Sequence, residues 1–256
     1  MLDPVSTPDQ ARRAVDGTMT AGGTSSDRGE ELYRFVKQHR FTRCLELGFY
    51  QGVSSVYIGA ALESNGQGTL TSVDLPSALE LSPRARDVVA RAGLAHRVSL
   101  EIDPDSYIWW LRRRMRECVR DGRVQPAFDF VFLDGAHTWD VDGFAFALVD
   151  RLLAPGGWLL FDDLDWTPRG PMLAQVPRDV RALSHVGEIW ELLVETDASY
   201  DELRTDGAWG YAHKSLAPRA EIRTVVKHDL INQIRQLARL ARRRLPGRGP
   251  AVPPKQ

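Results

Sequence analysis

The chain has few cysteines, almost no net charge and no long apolar segment. Two cysteines among 256 residues do not make a disulfide framework, which favours a reducing compartment. No run of 18 apolar residues occurs, so no membrane span is predicted. The first residues lack a charged start followed by an apolar core, so no signal peptide is expected. We therefore expect a cytoplasmic protein, and the net charge of -1 points to no bulk polyanionic partner.

The charge is distributed unevenly, because the segment near the C-terminus has a net positive charge. Residues 219–255 carry ten arginines and lysines but only two acids, which leaves the rest mildly acidic. Apolar residues recur there at helical spacing from Ile222 to Leu245, which predicts a basic amphipathic helix. Such a helix suits packing on the body, a homo-oligomer contact, or an anionic membrane surface that would make the protein membrane-peripheral. No nucleic-acid-binding module accompanies it, so no nucleic acid is expected.

Apolar strands alternate with helices through the middle of the chain. Continuous apolar strands need cover on both faces, and strands that alternate with helices are typical of parallel sheets. The pattern predicts an α/β fold with a doubly wound, mostly parallel sheet. The predicted strands are residues 43–47, 69–73, 97–102, 128–133 and 158–161.

The regular alternation of strands and helices ends after residue 163. The sequence as a whole divides into three predicted parts. Residues 1–27 are polar and predict a flexible N-terminal segment that is disordered or folds over a ligand. Residues 28–215 form the predicted domain, and residues 216–256 form the basic amphipathic helix and a disordered tail. Within the domain, Ile189 to Glu195 and Gly207 to His213 predict an antiparallel pair of strands at the sheet edge.

A glycine loop joins the first strand to the following helix. Gly48 and Gly52 permit a tight turn and a close approach to a ligand at a helix N-terminus. A dinucleotide fingerprint has glycine where this chain has Glu46, and an acid there repels pyrophosphate but attracts a cation. S-adenosylmethionine carries an ammonium and a sulfonium and no phosphate. The loop therefore predicts this cofactor, with Glu46, Gly48, Gly52 and Ser54 as binding residues.

Polar residues follow the ends of the other strands, where ligands of open α/β sheets bind. Asp74 follows the second strand, where an acid accepts hydrogen bonds from a ribose diol. Asp105 and Ser106 lie beyond the third strand and are candidates for adenine contact, or else the cap of a helix. Asp134, at the end of the fourth strand, is the remaining candidate for cofactor binding.

Three acids at adjacent strand ends predict a metal site. Asp134, Asp162 and Asp163 offer the hard oxygen ligands that Mg²⁺ or another divalent cation prefers. Neighbouring carboxylates repel each other without a cation, although each acid is also an ordinary residue for a turn or a solvated loop. His137 lies three residues after Asp134 and is a candidate general base, or a surface or cap residue. The aromatic candidates for an acceptor pocket, or for the core, are Tyr107, Trp109, Trp110, Trp139 and Trp166.

Taken in order, these motifs resemble those of class I S-adenosylmethionine-dependent methyltransferases over residues 28–215. The two aspartate motifs are similar to those of metal-dependent O-methyltransferases such as catechol O-methyltransferase. The Asp-Gly-x-His signature also resembles that of bacterial methyltransferases of sugars and other natural products. The motifs are ELGFYQG at 46–52, SVD at 72–74, FDFVFLDGAH at 128–137 and LAPGGWLLFDD at 153–163.

The resemblance implies methyl transfer to a hydroxyl of a small molecule such as a sugar, a phenolic or another natural product. It implies Asp134, Asp162 and Asp163 as metal ligands, and it places His137 where the catechol enzyme has a catalytic lysine. Two other functions stay open from the sequence. One is a cofactor-binding protein without turnover that acts through its basic C-terminal helix. The other is an NAD-dependent oxidoreductase, against which Glu46 and the missing third glycine argue.

Overall fold

The computed structural model describes residues 3–18, 23–174 and 176–216, and in these residues seven strands form one mixed sheet. The strands of this sheet are β1 Arg43–Leu47, β2 Thr69–Asp74, β3 Val98–Ile102, β6 Phe128–Leu133, β7 Leu153–Phe161, β8 Tyr200–Asp206 and β9 Trp209–Lys214; β4 Val119–Arg120 and β5 Arg123–Val124 form a separate hairpin. The sheet order is β3-β2-β1-β6-β7-β9-β8. The first five strands run parallel, while β9 is antiparallel to both β7 and β8. The predicted doubly wound, mostly parallel sheet with an antiparallel edge pair is confirmed.

Helices follow the strands and cover the sheet. Several of their first turns are capped by a side chain; Ser25, for example, accepts a hydrogen bond from the backbone N–H of Arg28 at the start of the second helix. The helices are α1 Pro8–Val15, α2 Ser26–His39, α3 Val53–Ser64, α4 Ala85–Arg91, α5 Tyr107–Glu117, α6 Trp139–Leu152 and α7 His185–Ile189, which a π-helical turn continues through Trp190–Val194.

The strands bury side chains on both faces of the sheet. Successive side chains of a strand point to opposite faces, so Phe130 and Val131 belong to different cores. Phe130 packs in the core formed with α1 to α4, and Val131 packs in the core formed with α5 to α7. The continuous apolar runs of the sequence thus follow from burial on two sides.

The order of strands reverses between β1 and β6, which places a crevice at their carboxyl ends. The backbone N–H of Asp134 donates to the carbonyl oxygen of Leu47 at 2.9 Å. The N–H of Asp162 donates to the carbonyl oxygen of Leu133 at 3.0 Å. These bonds continue the parallel ladders just past the strand ends. The acidic residues are therefore held at the reversal point, where open α/β sheets bind ligands.

The predicted strand from Ile189 to Glu195 is wrong, because this segment is helical. Ile189 and Val194 are fully buried in the core beside α6. A short apolar run fits a buried helix as well as a strand, so its periodicity did not separate the two. The edge partner of β9 is instead Tyr200–Asp206, whose residues after Tyr200 are mostly exposed and show no apolar pattern.

The N-terminal segment predicted as flexible contains an ordered helix. Thr7 and Gln10 form a capping box at the start of α1, and Ala11 and Val15 are buried in the first core. The segment is mostly polar, so its two apolar positions, four residues apart, gave no clear helical pattern. These two positions are enough to pack one face of the helix against the core. The predicted basic helix lies in residues 217–256, outside the described residues, and stays a prediction. Among the described residues, no helix combines the length and apolar character that a bilayer crossing requires.

Candidate active site

A cavity of about 190 Å³ opens at the reversal point of the sheet. Its walls are the glycine loop between β1 and α3, the residues after β2, Tyr107 of α5, and residues 134–137 after β6. Gly23 and Thr24 close it from the N-terminal segment, as expected if that segment folds over a ligand. The charged or titratable side chains of this wall include Asp74, Asp134 and His137, and among the described residues neither lysine nor arginine lines it. The cavity is therefore suited to a cationic ligand and poorly suited to a diphosphate.

Gly48 lies in the wall of this cavity with a φ of 90°. A Cβ at this position would overlap the backbone carbonyl oxygen of Asp134, so the loop and the β6 end approach closely only because residue 48 is glycine. Gly52 does not line the cavity. It has a φ of 80° and turns the chain into α3, while Ser54 in the first turn of α3 faces the cavity.

Asp74 organises the glycine loop and also lines the cavity. Its Oδ2 accepts hydrogen bonds from the backbone N–H groups of Phe49 and Tyr50, at 2.9 and 2.8 Å. Its Oδ1 accepts one from the N–H of Leu75 at 2.7 Å. An ionised carboxylate has about four acceptor positions, so capacity remains for a ligand hydroxyl. The loop-cap role and the predicted ribose role are compatible.

Glu46 lies beneath the glycine loop and does not line the cavity. Its side chain is fully buried, and one carboxylate oxygen, Oε2, accepts a short hydrogen bond from the hydroxyl of Ser55. Burial raises the pKa of Glu46, while hydrogen bonds from neighbouring serines lower it. Its other oxygen, Oε1, has no hydrogen-bond donor among the described residues. Glu46 therefore lies one layer below the cavity wall, and its predicted contact with the cofactor stays a prediction.

Asp105 and Ser106 also lie outside the cavity wall. The side chain of Ser106 accepts a hydrogen bond from the N–H of Ile108 and caps α5, and Asp105 is exposed. The N–H groups of both residues donate to Oδ1 of the fully buried Asp103, which also pairs with Arg113. The helix-cap interpretation therefore describes these two residues, and the predicted adenine contact stays a prediction.

Three side chains with atoms that can ligate a metal lie close together beside the cavity. Nε2 of His137 lies 3.4 Å from Oδ2 of Asp163 and 4.0 Å from Oδ1 of Asp134. One ligand atom from each residue lies within 4.8 Å of the other two. Both His137 and Asp163 have positive φ values, 54° and 62°. Non-glycine residues in this region of backbone space are uncommon, and they concentrate at functional sites.

Asp162, a predicted metal ligand, is not part of this cluster. Its Oδ1 accepts a hydrogen bond from the backbone N–H of Asp163 at 2.7 Å and so caps the turn after β7. Burial, and then the charge of Asp163, raise the pKa of Asp162 to about 6. Among the described residues the cluster therefore contains His137 and not Asp162, and the predicted metal role of Asp162 stays a prediction.

The electrostatics of the cluster fit a divalent cation. Burial raises the pKa of Asp134, and the charges of Asp162 and Asp163 raise it further. Burial also raises the pKa of Asp163, which the neighbouring His137 lowers. Carboxylates crowded at one strand edge are costly to ionise together, and a bound cation offsets that cost. Two carboxylates with an imidazole close by suit Mg²⁺, Mn²⁺ and related ions.

Two residues hold the loop at residues 134–137. Asp142 was not predicted from the sequence, and Tyr107 was predicted to line an acceptor pocket or to lie in the core. The carboxylate of Asp142, fully buried in α6, accepts hydrogen bonds from the N–H groups of Ala136 and His137. The hydroxyl of Tyr107 donates to Asp142 and accepts a hydrogen bond from the N–H of Ala136 at 2.9 Å. An acid on an otherwise apolar helix face was the available signal for Asp142.

Replacement of Tyr107 by phenylalanine should loosen this loop. We expect Tyr107→Phe to cost about 1–3 kcal/mol of unfolding free energy, because Asp142 and the N–H of Ala136 lose a buried partner. Urea unfolding with and without S-adenosylhomocysteine measures the loss. The matched control is Tyr33→Phe, which removes a hydroxyl that donates to Ser6 at 2.8 Å far from the cavity. An unchanged ligand-induced stabilisation in Tyr107→Phe would contradict the role in the loop.

A second, larger cavity of about 730 Å³ adjoins the first at Ala136. It lies between the start of α6, residues 172–180 and α7. Of the aromatic candidates, Trp139 lines it, and the ring of Trp166 lies 5.0 Å from that of His137. Trp109 lies on the outer side of α5, 50% exposed. The two cavities thus flank His137, as a two-substrate site requires.

The fold is the Rossmann-like fold of class I methyltransferases. Residues 45–164, just under half of the chain, match a family model described as a methyltransferase domain. The chain is similar to S-adenosylmethionine-dependent methyltransferases, as its motifs predicted, and among them to the caffeoyl-CoA O-methyltransferases. Caffeoyl-CoA O-methyltransferase 2 of Petunia hybrida is 26% identical over 146 residues, which cover 56% of this chain and 54% of that protein. The chain therefore aligns with about half the length of the curated relatives it matches.

Solved structures share the fold across most of the chain. The O-methyltransferase TomG from Streptomyces achromogenes, involved in tomaymycin synthesis and solved with S-adenosylmethionine, has a TM-score of 0.57 at 19% identity. That comparison covers 84% of this chain and 91% of TomG. An O-methyltransferase from Bacillus cereus, solved with S-adenosylhomocysteine, has a TM-score of 0.57 at 18% identity and covers 84% and 93%. At these identities the likeness establishes the fold.

Proposed function

We propose that this protein transfers a methyl group from S-adenosylmethionine to a hydroxyl oxygen of a small molecule, assisted by a divalent cation. The observation that carries the proposal is the meeting of two cavities at residues 134–137, beside a cluster of two carboxylates and an imidazole. The acidic, lysine- and arginine-free wall of the first cavity favours S-adenosylmethionine over NAD. The relatives named above are O-methyltransferases, which supports a hydroxyl as the acceptor.

The chain's own residues would bind and orient the methyl donor in the first cavity. Gly48 lets the loop approach it closely, and Asp74 retains acceptor capacity for a ribose hydroxyl. The carboxylate of Glu46, whose Oε1 has no hydrogen-bond donor among the described residues, would supply negative charge below the loop when it is ionised. Bound S-adenosylmethionine supplies an electrophilic methyl group, so catalysis depends mainly on fixed geometry and on removal of one proton from the acceptor.

The carboxylates of Asp134 and Asp163 would hold the cation. A divalent cation lowers the pKa of a hydroxyl group close to it. His137 would accept the hydroxyl proton at Nε2, and the two carboxylates within 4.0 Å suit a ring that becomes positively charged. Asp142 keeps the backbone of His137 in place through its hydrogen bond to the N–H of that residue.

Calorimetric titration with S-adenosylhomocysteine, with and without Mg²⁺, tests the proposal. We expect binding in the micromolar range and no measurable binding of NAD, because Asp74 and Asp134 repel a diphosphate. Loaded protein is then screened against hydroxylated acceptors for methyl transfer. Binding without transfer to any acceptor would favour the cofactor-binding protein without turnover. Absence of S-adenosylhomocysteine binding both with and without Mg²⁺ would refute the proposed function.

A further inference from the structure

The second cavity has an apolar wall and an acidic rim. Trp139, Met172, Val176 and Leu192 contribute apolar surface, enough to bury a ring or a short chain. Trp139 keeps 39% of its surface exposed, so the indole is open to a ligand. An indole face binds flat apolar groups and attracts organic cations.

Within the residues that the structure describes, the acids of this rim have no ion-pair partner. Asp140, Asp179 and Glu188 line the cavity, and neither lysine nor arginine is among the described residues that do so. Within the described part of the chain, no ion pair joins these three carboxylates to a basic side chain. The cavity therefore carries three formal negative charges that a ligand would meet.

The nearby basic groups do not reverse this balance. Nδ1 of His185 accepts a hydrogen bond from the N–H of Trp139, so it carries no proton, and Nε2 donates to the carbonyl oxygen of Val180. The ring is therefore neutral in this arrangement. Nε of Arg181 donates to the carbonyl oxygen of Val176, which directs the guanidinium to the backbone at the border of the cavity.

Helix ends offset only part of the negative charge. Asp140 and Glu188 lie in the first turns of α6 and α7. A helix N-terminus carries roughly half a positive charge, so the two helix ends supply about one against three carboxylates. The described side chains that line the cavity therefore carry more negative than positive charge.

We propose that the methyl acceptor of this protein carries a protonated amine beside its hydroxyl and an apolar body, and that the second cavity selects against anionic acceptors. The inference rests on the proposed function and deepens it. The amine lies toward Glu188 and the indole of Trp139, and the hydroxyl lies toward His137. A coenzyme A thioester, with its phosphates, meets repulsion at the rim, so this chain differs in acceptor class from the caffeoyl-CoA O-methyltransferases it resembles.

Two probes that differ in one charge test the proposal. 3,4-Dihydroxyphenethylamine and 3,4-dihydroxyphenylpropionic acid share the hydroxylated ring but carry an amine or a carboxylate at pH 7. Each is titrated into the full chain loaded with S-adenosylhomocysteine and Mg²⁺. We expect the amine to bind at least about tenfold more tightly at low ionic strength, and the ratio to shrink in salt. Equal affinities, tighter binding of the carboxylate, or binding of neither probe would overturn the inference.

Variants connect this preference to the rim. Glu188→Gln and the double variant Asp140→Asn with Asp179→Asn should each weaken binding of the amine probe several-fold. Binding of the carboxylate probe should be no weaker than in the wild type. The matched control is Glu191→Gln, three residues along the same helical segment, whose side chain lies outside the second cavity. Persistence of the full amine preference in both rim variants would refute the role of these acids. Titration of S-adenosylhomocysteine on the same preparations separates this result from failure of the proposed function.

Discussion

Simultaneous replacement of Asp134 and Asp163 by alanine should abolish methyl transfer. The variant removes both carboxylates that would hold the cation, and Lewis-acid stabilisation of several kcal/mol corresponds to a rate loss of at least about 10³-fold. S-adenosylhomocysteine binding should largely persist, because the glycine loop and Asp74 are unchanged. Single-turnover assays with S-adenosylmethionine measure the rate, and calorimetry measures the binding.

Controls for the double variant separate the metal from the base. Asp165→Asn changes a nearby exposed acid outside the cluster and should retain activity. His137→Gln should lose turnover but keep a rise in melting temperature on addition of Mg²⁺, because Asp134 and Asp163 remain. Loss of that rise would instead make His137 a metal ligand. Full activity of the double variant, or of the wild type in a chelator, would refute the role of the cation.

Substitution of Gly48 by alanine should damage both folding and cofactor binding. The new Cβ overlaps the carbonyl oxygen of Asp134, and residue 48 has a φ of 90°. We expect a loss of at least about 3 kcal/mol of unfolding free energy, since backbone atoms on both sides must move apart. The affinity for S-adenosylhomocysteine should fall at least about tenfold, because the loop and the β6 end form two walls of the cavity.

Gly66→Ala is the matched control for this substitution. Gly66 also has a positive φ, 71°, but a Cβ there meets nothing within 4 Å. It should therefore cost only the backbone term of about 1 kcal/mol and leave binding unchanged. Urea unfolding of the two variants isolates the cost of the overlap. Equal losses would show that backbone strain, and not the close approach to Asp134, explains the requirement for glycine.

The sequence determined the central sheet and the rim of the site. Continuous apolar runs that alternate with helices leave few arrangements other than a doubly wound sheet, and such a sheet collects the residues that follow its strands at one edge. Gly48, Asp74, Asp134 and Asp163 therefore lie where their positions after the strands place them. The edge pair was predicted as a feature but misplaced, because polar strand β8 carries no apolar alternation.

Only the tertiary structure determined which of these side chains line the cavities and which belong to the cluster. Glu46 and Ser54 lie eight residues apart on opposite sides of the glycine loop, but only Ser54 faces the cavity, because Glu46 belongs to a strand buried on both sides. The backbone turns that bring His137, and not Asp162, close to Asp134 and Asp163 follow no spacing rule. The acidic rim of the second cavity joins Asp140 to Asp179 and Glu188, which follow it by 39 and 48 residues in the sequence, so only packing brings their charges together. Local patterns predict elements and their ends, whereas the direction of each side chain depends on neighbours distant in the chain.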